Sequence, residues 1–127
     1  MALVLRNSLS RQKEEFKPLE EGKVRMYACG PTVYNFQHIG NFRTFTWVDL
    51  LRRYLKYKGY EVTAVMNLTD VDDKIIRDSR AAGMSREEFT QQYVDAFHED
   101  FEALGLLRPD IEPKATEHID DMVDIVK

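Results

Sequence analysis

Two apolar segments, the second of them β-branched, separated by one strongly periodic stretch constrain this chain more than any other feature. The first, KVRMYACG over 23–30, runs apolar into Gly30 and Pro31 and predicts a buried strand. The second, YEVTAVMNLTD over 60–70, predicts another strand. Between them Phe42, Phe45, Val48, Leu51 and Leu55 recur every three or four positions, and Gly59 closes the run as a helix. This is a β-α-β unit. Such units have parallel strands and a right-handed crossover, so the expected class is α/β on a parallel sheet.

The rest of the chain adds helices to that unit. DVDDKIIRDSRAAGMS reads as a short helix ended by Gly83. SREEFTQQYVDAFHEDFEALGL opens with Ser85 and, three residues on, Glu88, a capping box, and is expected to be the longest helix. RPDIEP reads as a break, and KATEHIDDMVDIVK as the start of a further helix. Residues 2–20 are expected to form an edge hairpin. The 127 residues suit one domain. The last apolar positions, Ile119, Met122, Val123 and Val126, have helical spacing without a Gly or Pro stop signal, which predicts that the chain is part of a longer protein.

Charge and composition exclude several classes. With 18 basic and 22 acidic residues the net charge is −4, so there is no global attraction to nucleic acid or to an anionic membrane. No apolar run approaches the ~18 residues of a membrane span. The start, MALVLRNSLSRQKEEF, lacks the basic region, long apolar region and cleavage site of a secretory signal. A single cysteine makes no internal disulfide, and the expected location is the reducing cytoplasm.

The unusual residues concentrate in CGPTVYNFQHIGN, 29–41, between the carboxyl end of the first strand and the amino end of the first helix. In open α/β sheets ligands bind there. Gly30, Pro31 and Gly40 allow sharp turns and close backbone approach. A helix starting near Gly40 offers free N–H groups to a phosphate, and His38 and Asn41, one turn apart, can aim donors at the same anion. The stretch is neither a Walker A loop nor the G-x-G-x-x-G dinucleotide fingerprint. A nucleotide-phosphate site at the first β-α turn is therefore expected.

HIGN at 38–41 resembles the HIGH signature of class I aminoacyl-tRNA synthetases. YACGPTVYNFQHIGNFRTF, NLTDVDDKII and RPDIEPKATEHI together resemble the amino-terminal part of the catalytic domain of cysteinyl-tRNA synthetases. The resemblance implies a Rossmann-like fold of which 1–127 holds the first half, with the KMSKS half and the helical tRNA-binding domains absent. It implies ATP-dependent activation of L-cysteine and transfer to tRNA(Cys), with Mg2+ accompanying ATP. That activity is expected of a full-length enzyme and not of this chain alone. Asn41 departs from the second histidine of the signature but keeps a donor. Two other readings stand beside this one: the cysteine ligase of mycothiol synthesis, which uses the same adenylate, and a truncated, non-catalytic binding module.

Site roles follow from the resemblance residue by residue. His38, Gly40 and Asn41 would hold the ATP phosphates. Gly30, Thr32, Thr44, Asn67 and Thr69 would lie beside the substrate cysteine and its adenylate. Cys29, otherwise readable as a small buried residue at a strand end, would be one ligand of a Zn2+ ion that binds the substrate thiolate, the remaining ligands lying beyond Lys127. Zinc suits that task because a thiolate binds it far better than the hydroxyl of serine does. Thr69 and Asp70 also read as helix caps. Asp72 and Asp73 read as capping and helix-dipole charges, and DVDDK lacks the Gly and distal Glu of a calcium loop. His98 and His118 read as solvated positions on helices. RRYLKYK, 52–58, reads as an exposed amphipathic face or, alternatively, an RNA contact.

Overall fold

The computed structural model describes residues 2–127. Strands β1 (Val4–Arg6) and β2 (Lys13–Glu15) pair antiparallel as a hairpin. The hairpin is a separate ribbon and not an edge of the main sheet as expected. Leu3 and Phe16 anchor it to the cluster of Val24, Leu55 and Val62, with the Phe16 ring edge-on to Tyr60 at 6.1 Å.

Strands β3 (Lys23–Ala28) and β4 (Glu61–Met66) form the parallel pair, joined through helix α1 (Ile39–Tyr57). The expected β-α-β unit is present. β3 is not the buried strand that its apolar content suggests: Val24 is buried, but Lys23, Arg25 and Tyr27 are exposed. The exposed three alternate with the core-facing positions and so stand on the other face of the pair, and among the described residues no strand pairs with the second edge of β3. One face of the pair, Val24, Met26 and Ala28 with Val62, Ala64 and Met66 opposite, meets the core.

β4 has a second neighbour that the sequence hid. The stretch read as a break runs parallel beside it, with bridges from Val65 to Ile111 and from Leu68 to Lys114. Met66 N–H donates to the Ile111 carbonyl at 3.1 Å and Leu68 N–H to the Pro113 carbonyl at 2.9 Å. The segment donates in return, from the Ile111 N–H to the Ala64 carbonyl at 3.2 Å and from the Ala115 N–H to the Leu68 carbonyl at 2.9 Å, while Pro109 and Pro113 have no N–H to add to the ladder.

Helices α2 (Asp73–Ala82) and α3 (Arg86–Ala103) follow, separated by Gly83 in the left-handed conformation. Ser85 and Glu88 form the expected capping box on α3. α3 has 18 residues and α1 has 19, so α1, not α3, is the longest helix. The main cluster joins Phe42 and Phe45 of α1, Met66 and Leu68, and Val94, Phe97 and Phe101 of α3. Phe97, 2% exposed, touches the rings of Phe42, Phe45 and Phe101 at 6.0, 5.4 and 5.2 Å. Full burial of one such ring contributes about 1.5–3 kcal/mol. A 3-10 turn (Ala115–His118) and helix α4 (Ile119–Val126) end the described chain, and no residue of α4 is buried.

Two charged residues of α1 are buried, Arg52 against expectation and Asp49 without a reading from the sequence. Arg52, read as part of an exposed face, is 4% exposed. Its guanidinium donates to the Leu107 and Arg108 carbonyls and to Asp110 Oδ1 at 2.7 Å. Asp49 accepts from Leu107 N–H at 3.0 Å and from Arg53 Nε at 2.7 Å. Asp110 in turn accepts from the Ala64 N–H at 2.7 Å, so α1, the 105–110 segment and β4 are locked together. His98 is likewise not solvated: it is partly buried and lies 2.7 Å from Glu112. His118 is exposed, as expected, beside Asp121.

Candidate functional site

The loop from Cys29 to His38 leaves the carboxyl end of β3 and turns back into α1. The fold leaves a cleft of about 540 Å³ there, walled by Cys29, Gly30, Thr32, His38, Gly40, Asn41 and Thr44. Seven residues singled out in the sequence therefore meet in one place. The described residues lining it include no aspartate or glutamate, so an entering anion meets no fixed negative charge.

His38 is the N-cap of α1. Its Nδ1 accepts the Gly40 N–H at 3.0 Å, and Asn41 Oδ1 accepts the His38 N–H at 3.2 Å, a reciprocal cap. The expectation of wholly free first-turn amides is corrected here, because the His38 ring takes that of Gly40. The consequence is chemical. A neutral imidazole that accepts at Nδ1 carries its proton on Nε2. An amide that accepts at Oδ1 leaves its Nδ2 hydrogens free. Both residues thus keep an outward donor while their acceptors are consumed by the cap, at the helix end where the partial charge is positive.

The two glycines have separate local reasons. A Cβ on Gly30 would lie 1.7 Å from the Asn67 carbonyl oxygen, and one on Gly40 would lie 2.7 Å from the His38 ring. The close approach inferred from these glycines is made by the chain itself. Gly30 admits the β4 backbone, and Gly40 admits the capping imidazole.

The match to known proteins can be set against this geometry. Residues 15–127 match the model of the family described as tRNA synthetases class I (C) catalytic domain. The chain belongs to that family. Over its full 127 residues it is 54% identical to a cysteine–tRNA ligase of Desulfitobacterium hafniense and 50% identical to one of Thermococcus kodakarensis, covering 27% of each. It is 56% identical to that of Koribacter versatilis, covering 26%. The chain thus spans about a quarter of the length of the curated relatives it matches.

Within this synthetase fold, Asn67 and Thr69 are not in the cleft wall. Asn67 Oδ1 accepts from the Gly30 N–H at 3.1 Å and from the Tyr27 hydroxyl at 2.7 Å, and its Nδ2 donates to Thr69 Oγ1 at 3.1 Å. The pair sits behind Gly30. Asp70 does not cap α2 either; Asp72 does, accepting from Lys74 N–H at 2.8 Å. Asp70, 8% exposed, instead accepts the N–H and hydroxyl of Thr116 and anchors the 3-10 turn.

Cys29 is exposed at the cleft, its thiol 3.6 Å from the Gly30 carbonyl. Among the described residues no group of three or more His, Cys, Asp or Glu could hold a metal ion. The residues present therefore do not by themselves make a zinc site. No described helix is long and apolar enough to cross a membrane.

Sequence reading missed the outer wall, Tyr34, Asn35, Phe36 and Gln37. Phe36 is 65% exposed and edge-on to Tyr93 at 5.3 Å, and Lys74 Nζ lies 4.6 Å from the centre of the Tyr34 ring. Two aromatics inside a Gly/Pro/Asn-rich loop were the available signal, since such a loop has no core of its own to bury them.

Proposed function

We propose that the cleft holds the phosphates of ATP and that the protein activates L-cysteine for transfer to tRNA(Cys). The observation that carries this reading is the reciprocal cap, which leaves His38 Nε2–H and Asn41 Nδ2–H as donors in a cleft without acidic residues. In the reaction the cysteine carboxylate attacks the α-phosphorus of ATP in line. The bond from that phosphorus to the bridging oxygen breaks, and pyrophosphate leaves with its Mg2+. No side chain need act as nucleophile. His38 and Asn41 stabilise charge on the phosphates, and Gly40 keeps the imidazole seated. Gly30, Thr32 and Thr44 lie beside the amino acid and its adenylate.

Residues 1–127 are read as the amino-terminal portion of a Rossmann-like nucleotide-binding domain, with the KMSKS half and the tRNA-binding helices elsewhere in a longer protein. The edge of β3, unpaired among the described residues, supports this, as does an apolar groove of about 760 Å³ beside it that includes Trp47, Leu50 and Tyr54. A Zn2+ ion would take Cys29 as one ligand and need its others from outside this chain. Cys29→Ser in the full-length protein should lower zinc content and weaken selection against serine. Full metal occupancy with unchanged preference for cysteine would make Cys29 purely structural.

The test of the function is acceptor use by the full-length protein. The expected result is cysteine-dependent exchange of pyrophosphate into ATP and charging of tRNA(Cys). Ligation of cysteine to an amino-sugar instead would assign the mycothiol-type reaction. ATP binding without exchange would assign a binding module.

A further inference from the structure

The two halves of the β3–β4 ladder are out of step. Ala28 pairs with Met66, and the next parallel bridge joins Thr32 to Thr69. Three residues, 29–31, lie between those pairs on one side and two, 67 and 68, on the other. One extra residue at Cys29–Gly30 is a bulge, a device that breaks pairing and re-aims a side chain next to a site.

One broken bond in that gap has a side-chain substitute. The Gly30 N–H, which has no carbonyl to meet, donates to Asn67 Oδ1 at 3.1 Å. The same oxygen accepts the Tyr27 hydroxyl at 2.7 Å, and the amide nitrogen is held by Thr69 Oγ1 at 3.1 Å. Below the gap the ladder resumes, with Thr69 N–H donating to the Pro31 carbonyl at 3.0 Å and Val33 N–H to the Thr69 carbonyl at 3.1 Å. The Asn67 carbonyl lies against Gly30 so closely that only glycine fits.

We infer that Asn67 is a positioning residue: its side-chain oxygen, steadied by Tyr27, holds the Cys29–Gly30 bulge and so sets where the Cys29 thiol stands in the cleft. This deepens the functional reading and rests on it for the purpose of the bulge, though not for its existence. It also separates two roles for Asn67. A residue that touches the substrate carboxylate or a phosphate acts through its Nδ2–H donor. A residue that holds the bulge acts through its Oδ1 acceptor.

Substitutions in the full-length protein tell these apart. Asn67→Asp keeps the acceptor, and the Thr69 hydroxyl can turn to donate to it; only if residue 67 touched the substrate would it set a negative charge against the substrate anion. Asn67→Leu keeps the volume and removes the acceptor. Residue-resolved hydrogen–deuterium exchange at Gly30 should be about tenfold faster in Asn67→Leu and near the unmodified rate in Asn67→Asp, one part-buried hydrogen bond being the difference. The KM for cysteine should rise in Asn67→Leu and change little in Asn67→Asp. Tyr27→Phe, at an exposed ring, should speed Gly30 exchange by a smaller factor, and it decides the matter if Asn67→Leu does not fold. Unchanged Gly30 exchange in Asn67→Leu, or in Tyr27→Phe where that variant decides, would overturn the inference. So would cysteine activation impaired more by aspartate than by leucine. If the unmodified protein does not activate cysteine at all, the functional reading fails, while Gly30 exchange still decides the role of Asn67.

Discussion

Gly30 shows how little freedom single residues have at the cleft. Its hydrogen atom faces the Asn67 carbonyl where a methyl group would stand at 1.7 Å. The obstacle is backbone, so it cannot swing aside as a side chain would. Gly30→Ala should therefore destabilise the full-length protein by about 2–3 kcal/mol through forced displacement of the bulge, seen as a lower denaturant midpoint. An unchanged midpoint would mean that the β3 end shifts freely. Gly40 has the opposite character, because its obstacle is the His38 ring. At this scale the sequence identified the residues but not their partners. His38, Asn41, Gly30 and Gly40 were legible from residue type and spacing. That both glycines answer to the protein itself, and that Asn67 faces Gly30, depends on pairing across 37 residues, which no local pattern carries.

Elements were more legible than contacts because helix ends are written in adjacent residues. Ser85 and Glu88 are an example. The Glu88 carboxyl is held below its ordinary value of 4.5, first by the Ser85 hydroxyl and then by the Ser85 N–H. A carboxyl with a lowered pKa in the folded state favours the folded form when ionised. That contribution is fully present above about pH 4.5 and is lost as pH falls through the lower folded value. The start of α3 should fray over that range, with the protection of the Glu88 amide relative to an unstructured chain at the same pH falling, and Glu88→Gln should flatten this pH dependence; a variant that keeps it would place its source elsewhere. α1 carries the reverse lesson. Its apolar spacing was plain, yet Asp49 and Arg52 are buried among those positions, because they grip a segment more than 50 residues away. Arg52→Ala should cost about 2–3 kcal/mol, less than a fully buried pair because the Asp110 side chain is 41% exposed. Chemical denaturation measures this, and a loss under about 0.5 kcal/mol would show the clamp to be incidental.

For the whole molecule, the β-α-β unit was readable because two strand-like runs and one helical period admit few arrangements. The separation of the hairpin from the main sheet, the parallel run at 110–114 and the open edge of β3 were not, since each depends on where other segments pack. The bulge shapes the carboxyl end of β3 and the cap the amino end of α1, both at one cleft, while the clamp ties the later part of α1 to β4 through the 107–110 segment. The most direct measurement is cysteine-dependent exchange of pyrophosphate into ATP by the full-length protein, unmodified and as His38→Ala, with both confirmed folded by circular dichroism. Loss of the Nε2 donor should reduce the rate by about 10²-fold or more. An unchanged rate would contradict a phosphate-holding role for His38 and the reading of the cleft built on it.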